Sequence, residues 1–240
     1  MKFLCQIWFD TQKSKLVPQT EWDALTQECI ASDNRWRESG HLLVALALHE
    51  PSTAITVRLR NGEAFSTDGP FAEIKEHLGG FFADRSREYR GGEDDRVEFS
   101  DPQILLNRSA PDLLHPGWEI AMRYICLIYN SADTDGTLTS EETDELIKAH
   151  FAFDEELRRD GIMIHADALE MPDKATVLRV RYNGLSATDG PYVETKEHLA
   201  GFYVIEAPDM VKAREIAGRI PSARFGAVEL RPVRMLTLPD

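Results

Sequence analysis

The chain has 240 residues, with 27 Lys and Arg against 41 Asp and Glu, so its formal net charge is −14 when the histidines are neutral. A chain this acidic has little attraction for phosphate backbones or anionic bilayers, so we expect neither a nucleic-acid partner nor a membrane partner. The hydrophobic content of 42% is typical of a globular protein, and the length fits two small domains.

The N-terminal segment Met1–Asp10 lacks the apolar core and the cleavage site of a secretory signal. The longest apolar run, Leu42–Leu48, is far shorter than the roughly 20 residues that span a bilayer. We therefore expect a cytoplasmic protein whose partners are small molecules or other proteins. The cysteines, Cys5, Cys29 and Cys126, form no C-x-x-C pair, which disfavours a disulfide framework and a cysteine-based zinc site.

An internal repeat organises the sequence. Residues 1–82 align without a gap on residues 122–203, and 28 of the 82 aligned pairs are identical. The longest shared stretch is TDGPFAEIKEHLGGFF at Thr67–Phe82 and TDGPYVETKEHLAGFY at Thr188–Tyr203. A repeat of this length indicates a tandem duplication, so we expect both copies to begin with one common fold.

In the second copy, hydrophobic periodicity and turn residues predict a complete set of elements. In chain order these are a strand at Met122–Asn130, a helix capped by Ser140 and ended by Gly161, strands at Ile162–Leu169 and Ala175–Arg181, a strand at Gly201–Ala207, a helix between Asp209 and Pro221, and a strand at Ala227–Val233. We expect the second and third strands to form an antiparallel pair. The predicted apolar face of the first helix contains Leu146, Ile147, His150, Phe151 and Leu157.

The order βαββ, turn, βαβ predicts an α+β fold of the ferredoxin-like type, with an antiparallel sheet covered on one face by two helices. The first copy follows this course only to Phe82, because nine of the 14 residues from Ala83 to Arg96 are charged and show no apolar periodicity.

We therefore predict three segments. They are an incomplete first copy at 1–82, which could extend into 83–110, an irregular linker at 83–120 with an edge strand at Gln103–Leu106, and a complete second copy at 121–240. The alternative is that residues 83–120 are a disordered tether and that the first copy only stabilises the second.

The two TDGP stretches resemble the D-G-P-F-A-E-T-K-E signature of the DGPF branch of the YCII-related family, and the ending GAVELRPV at Gly226–Val233 extends the resemblance. The resemblance covers residues 1–82 and 122 to about 234. It implies ferredoxin-like units of the dimeric α/β-barrel kind, whose two sheets pack face to face. Two copies on one chain would then pair as an intramolecular pseudo-dimer with a cavity between the sheets, and the chain could also form a homo-oligomer.

The resemblance leaves the function open. Most members of the family have no assigned reaction, some are encoded beside extracytoplasmic-function sigma factors, and a few relatives in the wider superfamily are lyases, isomerases or oxygenases. One hypothesis is a protein that binds a small anionic or aromatic molecule between the sheets and performs His/Asp acid–base chemistry of the lyase or isomerase type. The other is a non-catalytic accessory or ligand-sensing protein, associated with such a sigma factor.

His165 and Asp167 lie two residues apart in a predicted strand, so their side chains point to the same face. The first copy has Val44 and Leu46 at these positions, which makes the pair the best candidate for an active site found in the second copy alone. The alternative is a histidine that only satisfies structural hydrogen bonds. A His/Asp/His metal site with His198 has no diagnostic spacing, so we assign no metal.

Asp68 and Asp189 occupy identical TDGP turns, in which the aspartate can bond backbone N–H groups and the glycine can take positive φ. The functional interpretation is that Asp189 orients a neighbouring histidine for acid–base work, which requires that it lie near His165. The alternative, which the turn residues favour, is that both aspartates serve the structure of the turn alone.

Glu194 and His198, with Glu73 and His77 in the first copy, are four residues apart, so a helical turn would place them on one face. A histidine beside carboxylates is a plausible proton carrier near neutral pH. The alternative is a solvated charged turn.

Two arginine pairs, Arg58 with Arg60 and Arg179 with Arg181, alternate with apolar residues and so share a strand face. One interpretation is that the arginines hold an anionic substrate. Tyr192 would then also contact the substrate in the second copy, and Asp68 and His77 would contact it in the first copy. The other interpretation is that the arginines bridge to acidic residues of the opposing sheet. Tyr124 and Trp8 line the same cavity or pack in the core.

Motifs for nucleotide binding, for serine hydrolases and for zincins are absent from the sequence, so we expect no cofactor.

Overall fold

A computed structural model describes residues 2–60, 63–71, 75–85, 121–131, 137–181, 184–192 and 196–234, without the side chains of residues 180 and 181. The predicted edge strand at Gln103–Leu106, most of the predicted linker and Glu194 therefore lie outside the described residues. The first three residues of that linker, 83–85, continue a strand.

The described residues form β-strands and four α-helices. The strands are β1 (Lys2–Asp10), β2 (Leu42–Leu48), β3 (Ile55–Arg60), β4 (Glu63–Asp68), β5 (Glu76–Arg85), β6 (Met122–Ser131), β7 (Met163–Ala168), β8 (Thr176–Arg181), β9 (Gly184–Asp189), β10 (Glu197–Ala207) and β11 (Gly226–Arg234). The helices are α1 (Thr11–Ser14), α2 (Gln19–Glu38), α3 (Ser140–Arg159) and α4 (Met210–Ala217).

The chain divides into two compact units. Unit 1 contains Met1–Pro51, Ala72–Ser109 and Val233–Asp240, and unit 2 contains Ser52–Phe71 and Ala110–Pro232. The β3–β4 hairpin, which the repeat places in the first copy, thus belongs to unit 2.

The sheet of unit 2 contains the path β11-β6-β10-β7, and β3 pairs with β11 and with β4. All of these neighbouring strands are antiparallel. When only the four strands β6, β7, β10 and β11 are numbered along the chain, their order in the sheet is four, one, three, two, which is the arrangement of a ferredoxin-like sheet. The predicted mixed α+β class with antiparallel sheets is confirmed and is consistent with a ferredoxin-like fold. The pairing of two such units as a pseudo-dimer stays a prediction.

Helices α3 and α4 cover one face of this sheet. The largest side chains buried there include Tyr124, Phe153, Leu157, Ile205 and Ile216. Their burial removes apolar surface from water, which is the main force that holds helices against a sheet. The face of the sheet that carries these residues is called the helix face below.

Helix α3 begins one residue earlier than a cap at Ser140 would place it. Thr139 is the N-cap and forms a capping box with Glu142. The Thr139 side chain accepts from the backbone N–H of Glu142, and the Glu142 side chain accepts from the backbone N–H of Thr139. Gly161 follows the helix at a φ of 68°, as glycine commonly does. The predicted apolar face was wrong at two positions, since Ile147 and Phe151 are 47% and 68% exposed while Phe153 is buried.

Unit 1 contains an antiparallel sheet with the order β1-β5-β2. Helix α2 packs against it through aromatic side chains. The ring of Trp36 meets that of Phe82 edge-on at 5.3 Å, and Trp22 meets Phe9 at 6.1 Å. The three strands correspond in the repeat alignment to β6, β10 and β7, and they have the same order.

Two predictions about the strands were wrong. Strands β7 and β8 do not pair with each other, because β7 pairs with β10 and β8 with β9. Strands β4 and β9 were missed because their small and polar residues, such as those of Gly184–Asp189, are exposed and show no apolar pattern.

The predicted helical turn was also wrong for the residues that can be checked. Glu197 and His198 begin β10, and Glu76 and His77 begin β5. In each unit the charged stretch therefore leads into a strand that pairs on both sides, so its side chains take the alternation of a strand and not the four-residue spacing of a helix.

Gly226 marks the point where β11 comes closest to β6, because a Cβ there would overlap the carbonyl oxygen of Tyr129. We expect Gly226→Ala to lower the free energy of unfolding by about 1–3 kcal/mol, since the methyl group must push two paired backbones apart. Urea denaturation measures the change. Gly218→Ala is the control, because Gly218 has a φ of −66° and its nearest neighbour is the Ala64 methyl at 3.3 Å. Equal losses in both variants would contradict the prediction.

Candidate functional site

The site lies on the face of the unit 2 sheet that the helices leave uncovered, which is called the rear face here. Side chains alternate between the two faces along each strand, so the residues of a strand that do not point to the helix face point to the rear face. They are Arg123, Ile125, Leu127 and Tyr129 of β6, His165 and Asp167 of β7, Phe202, Val204 and Glu206 of β10, and Ala227, Glu229 and Arg231 of β11.

His165 and Asp167 form a hydrogen-bonded pair at one edge of the rear face. The distance from His165 Nε2 to Asp167 Oδ2 is 2.7 Å, and the two side chains are 19% and 21% exposed. The imidazole also stacks on the ring of Phe202 at 5.8 Å. The predicted sharing of one strand face by this pair is therefore confirmed.

The pair has a defined proton arrangement. An ionised carboxylate only accepts hydrogen bonds, so Nε2 of His165 carries the proton and Nδ1 is left as the basic nitrogen. A carboxylate that fixes the tautomer of a histidine is the usual way to make it a general base.

The middle of the rear face is apolar. Ile125, Leu127, Phe202 and Val204 lie in two neighbouring rows across β6 and β10 and are almost fully buried. Charges at the margin of such a strip interact more strongly than they would in water, because the local dielectric constant is low.

A second ion pair, Glu229 with Arg231, lies on β11 at the far side of this strip. Both side chains are 3% exposed, and one oxygen of the carboxylate contacts the guanidinium directly. The other oxygen accepts a hydrogen bond of 2.9 Å from the backbone N–H of Phe71. Since three strand spacings separate β11 from β7, this ion pair lies about 14 Å from Asp167.

Phe71 anchors the end of the β3–β4 hairpin between two side chains. Its ring stacks on Tyr129 with the centroids 4.3 Å apart, and the guanidinium of Arg58 lies 5.3 Å above it. Burial raises the pKa of the Tyr129 hydroxyl, and the charge of Glu229 raises it further. The hairpin is thus fixed to unit 2 by a buried charge and by an aromatic stack.

The structure does not bring His198 to the His165–Asp167 pair. His198 lies opposite Asn130 and His165 is in the row of Ile125, so the two histidines are about 17 Å apart along the strands. A bulge at residue 200 also turns His198 to the helix face. His77 takes the corresponding position in unit 1, opposite Phe9.

Asp68 and Asp189 end exposed strands of the two hairpins. The glycines that follow them, Gly69 and Gly190, have φ values of 103° and 105°. The N–H groups of these glycines donate to Ala54 and Ala175 at 2.8 Å. These contacts support the structural interpretation of the TDGP turn, and the role of Asp189 as an orienting group stays a prediction.

The arginine pairs lie on the two hairpins. Arg58 and Arg60 share the side of β3 opposite to Val57, which is in the core. Arg179 is exposed, and its guanidinium lies 5.5 Å above the ring of Tyr192. The side chain of Arg181 and the whole of Glu194 lie outside the described residues. Tyr124 is buried in the helix-face core, and the indole N–H of Trp8 donates to Gln6 at 3.1 Å.

A polar network on the helix face was not predicted. His150 Nε2 lies 2.7 Å from Ser222 Oγ, and His150 Nδ1 lies 2.9 Å from the Tyr203 hydroxyl, which donates to Asp154 at 2.7 Å. The Tyr203 hydroxyl donates its hydrogen to the carboxylate, so it can only accept a hydrogen bond from Nδ1–H of His150. Nε2 of His150 then has no hydrogen and accepts a hydrogen bond from the Ser222 hydroxyl. Burial lowers the pKa of His150 more than Asp154 raises it.

Sequence reasoning missed both buried clusters. The alternation V-E-L-R in Val228–Arg231 was a signal for the Glu229–Arg231 pair, because two opposite charges on one strand face are commonly paired. The helix-face network had a weaker signal, since His150 and Tyr203 replace Cys29 and Phe82 of the first copy. The spacing of apolar residues instead predicts that His150 belongs to the apolar face of its helix.

Within the described ranges, no group of three or more His, Cys, Asp or Glu side chains is placed to hold a metal ion. Across those same ranges, no helix is both long enough and apolar enough to cross a membrane.

Comparison with known proteins finds similarity in the second half of the chain. Residues 122–237 match the model of the YCII-related domain. An uncharacterized protein of Rhizobium meliloti (strain 1021) is 28% identical to this chain over 116 residues, which make up 48% of this chain and 94% of that protein. The second half of the chain is therefore similar to the YCII-related domain, whereas the DGPF branch and the tandem duplication stay predictions.

Glu229 offers a direct test of the anchoring of the hairpin. We expect Glu229→Ala to lower the free energy of unfolding by about 3–5 kcal/mol, because the buried guanidinium of Arg231 then loses the carboxylate that contacts it. Chemical denaturation measures the loss. The double variant Glu229→Met with Arg231→Met is the control and should lose less, since it removes both charges of this ion pair and fills their place with apolar side chains. A double variant less stable than the single one would contradict this view.

His150 gives the protein a dependence of stability on pH. Because its pKa is lowered in the folded state, the unfolded chain binds more protons below pH 6.5. This contribution to stability is fully present above about pH 6.5 and is lost as the pH falls through the lowered pKa. Urea midpoints between pH 7 and pH 5 should therefore fall less in His150→Gln than in the wild type, and His41→Gln, at an exposed histidine, should keep the wild-type slope. Equal slopes in all three proteins would refute the assignment.

Proposed function

We propose that unit 2 binds a small anionic or aromatic molecule and transfers a proton through His165, in chemistry of the lyase or isomerase type. The observation that carries the proposal is the 2.7 Å hydrogen bond between His165 and Asp167 at the edge of the rear face. In this reaction Nδ1 of His165 removes a proton from the substrate and later returns it, and Asp167 stabilises the imidazolium that forms in between.

The position of the pair supports an acid–base role. The two side chains are partly buried beside an apolar strip, where a charge that develops on the substrate is poorly screened by water and is stabilised mainly by nearby groups. The side chains nevertheless keep about a fifth of their surface exposed, so a small molecule can reach them.

The anionic or aromatic character of the ligand is supported by the arginines of the hairpins. Arg179 is exposed and lies over Tyr192, a combination that binds carboxylates through the guanidinium and planar groups through the ring. In our proposal Arg179 and Arg181 hold the anion, with Tyr192 and Glu194 beside it, and Asp189 assists the proton transfer. His198 lies too far from His165 to take part in that step. Arg58, Arg60, Asp68 and His77 are the equivalent set of the first copy.

A second candidate is an accessory or ligand-sensing protein without turnover, associated with an extracytoplasmic-function sigma factor. It is favoured by the nearly complete burial of Ile125, Leu127, Phe202 and Val204, since a rear face filled with side chains leaves less room for a substrate. Binding of a carboxylate without any proton transfer would support this candidate over the first.

Hydrogen–deuterium exchange at carbon tests the proposed chemistry without knowledge of the product. Small carboxylates with an acidic C–H bond, both aromatic and aliphatic, are incubated with the protein in D2O and followed by proton NMR. If the proposal is correct, the wild type accelerates exchange in one of them, and His165→Ala and Asp167→Asn each slow it by about 100-fold or more.

His41→Ala is the matched control, because His41 is an exposed histidine bonded to Ser39. It should exchange at the wild-type rate. Exchange at the wild-type rate in His165→Ala would overturn the assignment of the proton carrier.

A further inference from the structure

The helix-face network consists of Ser222, His150, Tyr203 and Asp154, and the proposed function does not use it. It joins three elements of unit 2, since His150 and Asp154 are in α3, Tyr203 is in β10, and Ser222 is in the 3-10 turn Pro221–Arg224. We propose that Ser222 is a nucleophile that accepts an acyl group from small apolar esters, with His150 as its general base.

The first argument is the direction of the hydrogen bonds. Asp154 accepts from the Tyr203 hydroxyl, the hydroxyl accepts from Nδ1–H of His150, and Nε2 accepts the proton of Ser222. A nucleophile bonded to the basic nitrogen of a histidine, whose other nitrogen is oriented by an acidic group, is the arrangement of catalytic triads. Here a tyrosine stands between the histidine and the carboxylate.

The second argument comes from the aligned positions of unit 1. His150, Tyr203 and Asp154 align with Cys29, Phe82 and Asp33, and these three residues are buried. Unit 1 builds the corresponding helix and strands with only the aspartate kept, because a cysteine and a phenylalanine replace the histidine and the tyrosine. A buried polar chain costs free energy unless all of its members are bonded, so its presence in unit 2 is not explained by the needs of the backbone.

The third argument concerns the approach of a substrate. Ser222 is only 6% exposed, whereas Ile147 and Phe151, three residues before and one residue after His150 on α3, are 47% and 68% exposed. Ile147 is one helical turn before His150 and so lies on the same side of α3. Its exposed side chain is the apolar surface at which we place the short hydrocarbon acyl group of the substrate. Burial also lowers the pKa of His150, which keeps the imidazole neutral and able to accept a proton near pH 7.

The reaction balances without a cofactor. Ser222 Oγ attacks the ester carbonyl and its proton passes to His150 Nε2. The bond from the carbonyl carbon to the alcohol oxygen then breaks, and the alcohol leaves with that proton. Water attacks the acyl-serine, again with His150 as base, and releases the carboxylic acid while Ser222 regains its proton. Ser222 is not in a G-x-S-x-G segment, but triads are defined by geometry and not by sequence position.

A fluorophosphonate probe tests the nucleophile in the full-length protein. Mass spectrometry of tryptic peptides should locate the adduct on Ser222, and Ser222→Ala should not be labelled at this peptide. Ser140→Ala, at an exposed position of the same α3 helix, is the matched control and should be labelled at the wild-type rate. An unlabelled wild type, or an adduct only on another residue, overturns the proposal.

The rate of labelling tests the base and its orientation. His150→Gln, which can still bond to Ser222, should slow labelling by about 100-fold. Tyr203→Phe, which copies the Phe82 of unit 1, should slow it less and should shift the pH at which the rate falls. Rates unchanged in both variants, with thermal unfolding like that of the wild type, would show that the network is only structural and would overturn the proposal.

Discussion

The buried carboxylate of Glu229 is the constraint on which the organisation of unit 2 depends. It neutralises Arg231, and it also accepts the backbone N–H of Phe71 from the end of the β3–β4 hairpin. A carboxylate removed from water must have such partners, because an unpaired buried charge costs several kcal/mol. The pairing of β3 with residues 228–230 of β11 adds a backbone ladder to this contact. A segment distant in sequence therefore becomes part of the unit.

A comparison of hairpin β8–β9 with hairpin β3–β4 separates the features of β3–β4 that depend on its contact with Glu229 from those that do not. It has the same internal register as β3–β4, a glycine with nearly the same φ, and an arginine above an aromatic ring at a similar distance. These features are therefore local properties of the sequence. What differs is burial, since Val57 is in the core of unit 2 while Leu178, its aligned residue, is 39% exposed.

The rear face and the helix face of one sheet carry different chemistry. His165 and Asp167 are on the rear face, and the network around His150 is on the helix face. A sheet separates two such sites because adjacent residues of a strand point to opposite sides. The aligned strands of unit 1 have Val44, Leu46 and Phe82 at these positions. The same strand order thus supports polar chemistry in one unit and apolar packing in the other.

The sequence by itself determined the repeat, the α+β class, most elements of the second half and the shared face of His165 and Asp167, because these depend on local periodicity. It could not determine which strands pair, as the wrong pairing of β7 with β8 shows, since pairing depends on contacts between distant segments. Only the tertiary structure separated His198 from His165, through a one-residue bulge that reverses the strand face. Only the tertiary structure brought Phe71 to Glu229 and Ser222 to His150, because their distances follow from how the strands and helices pack.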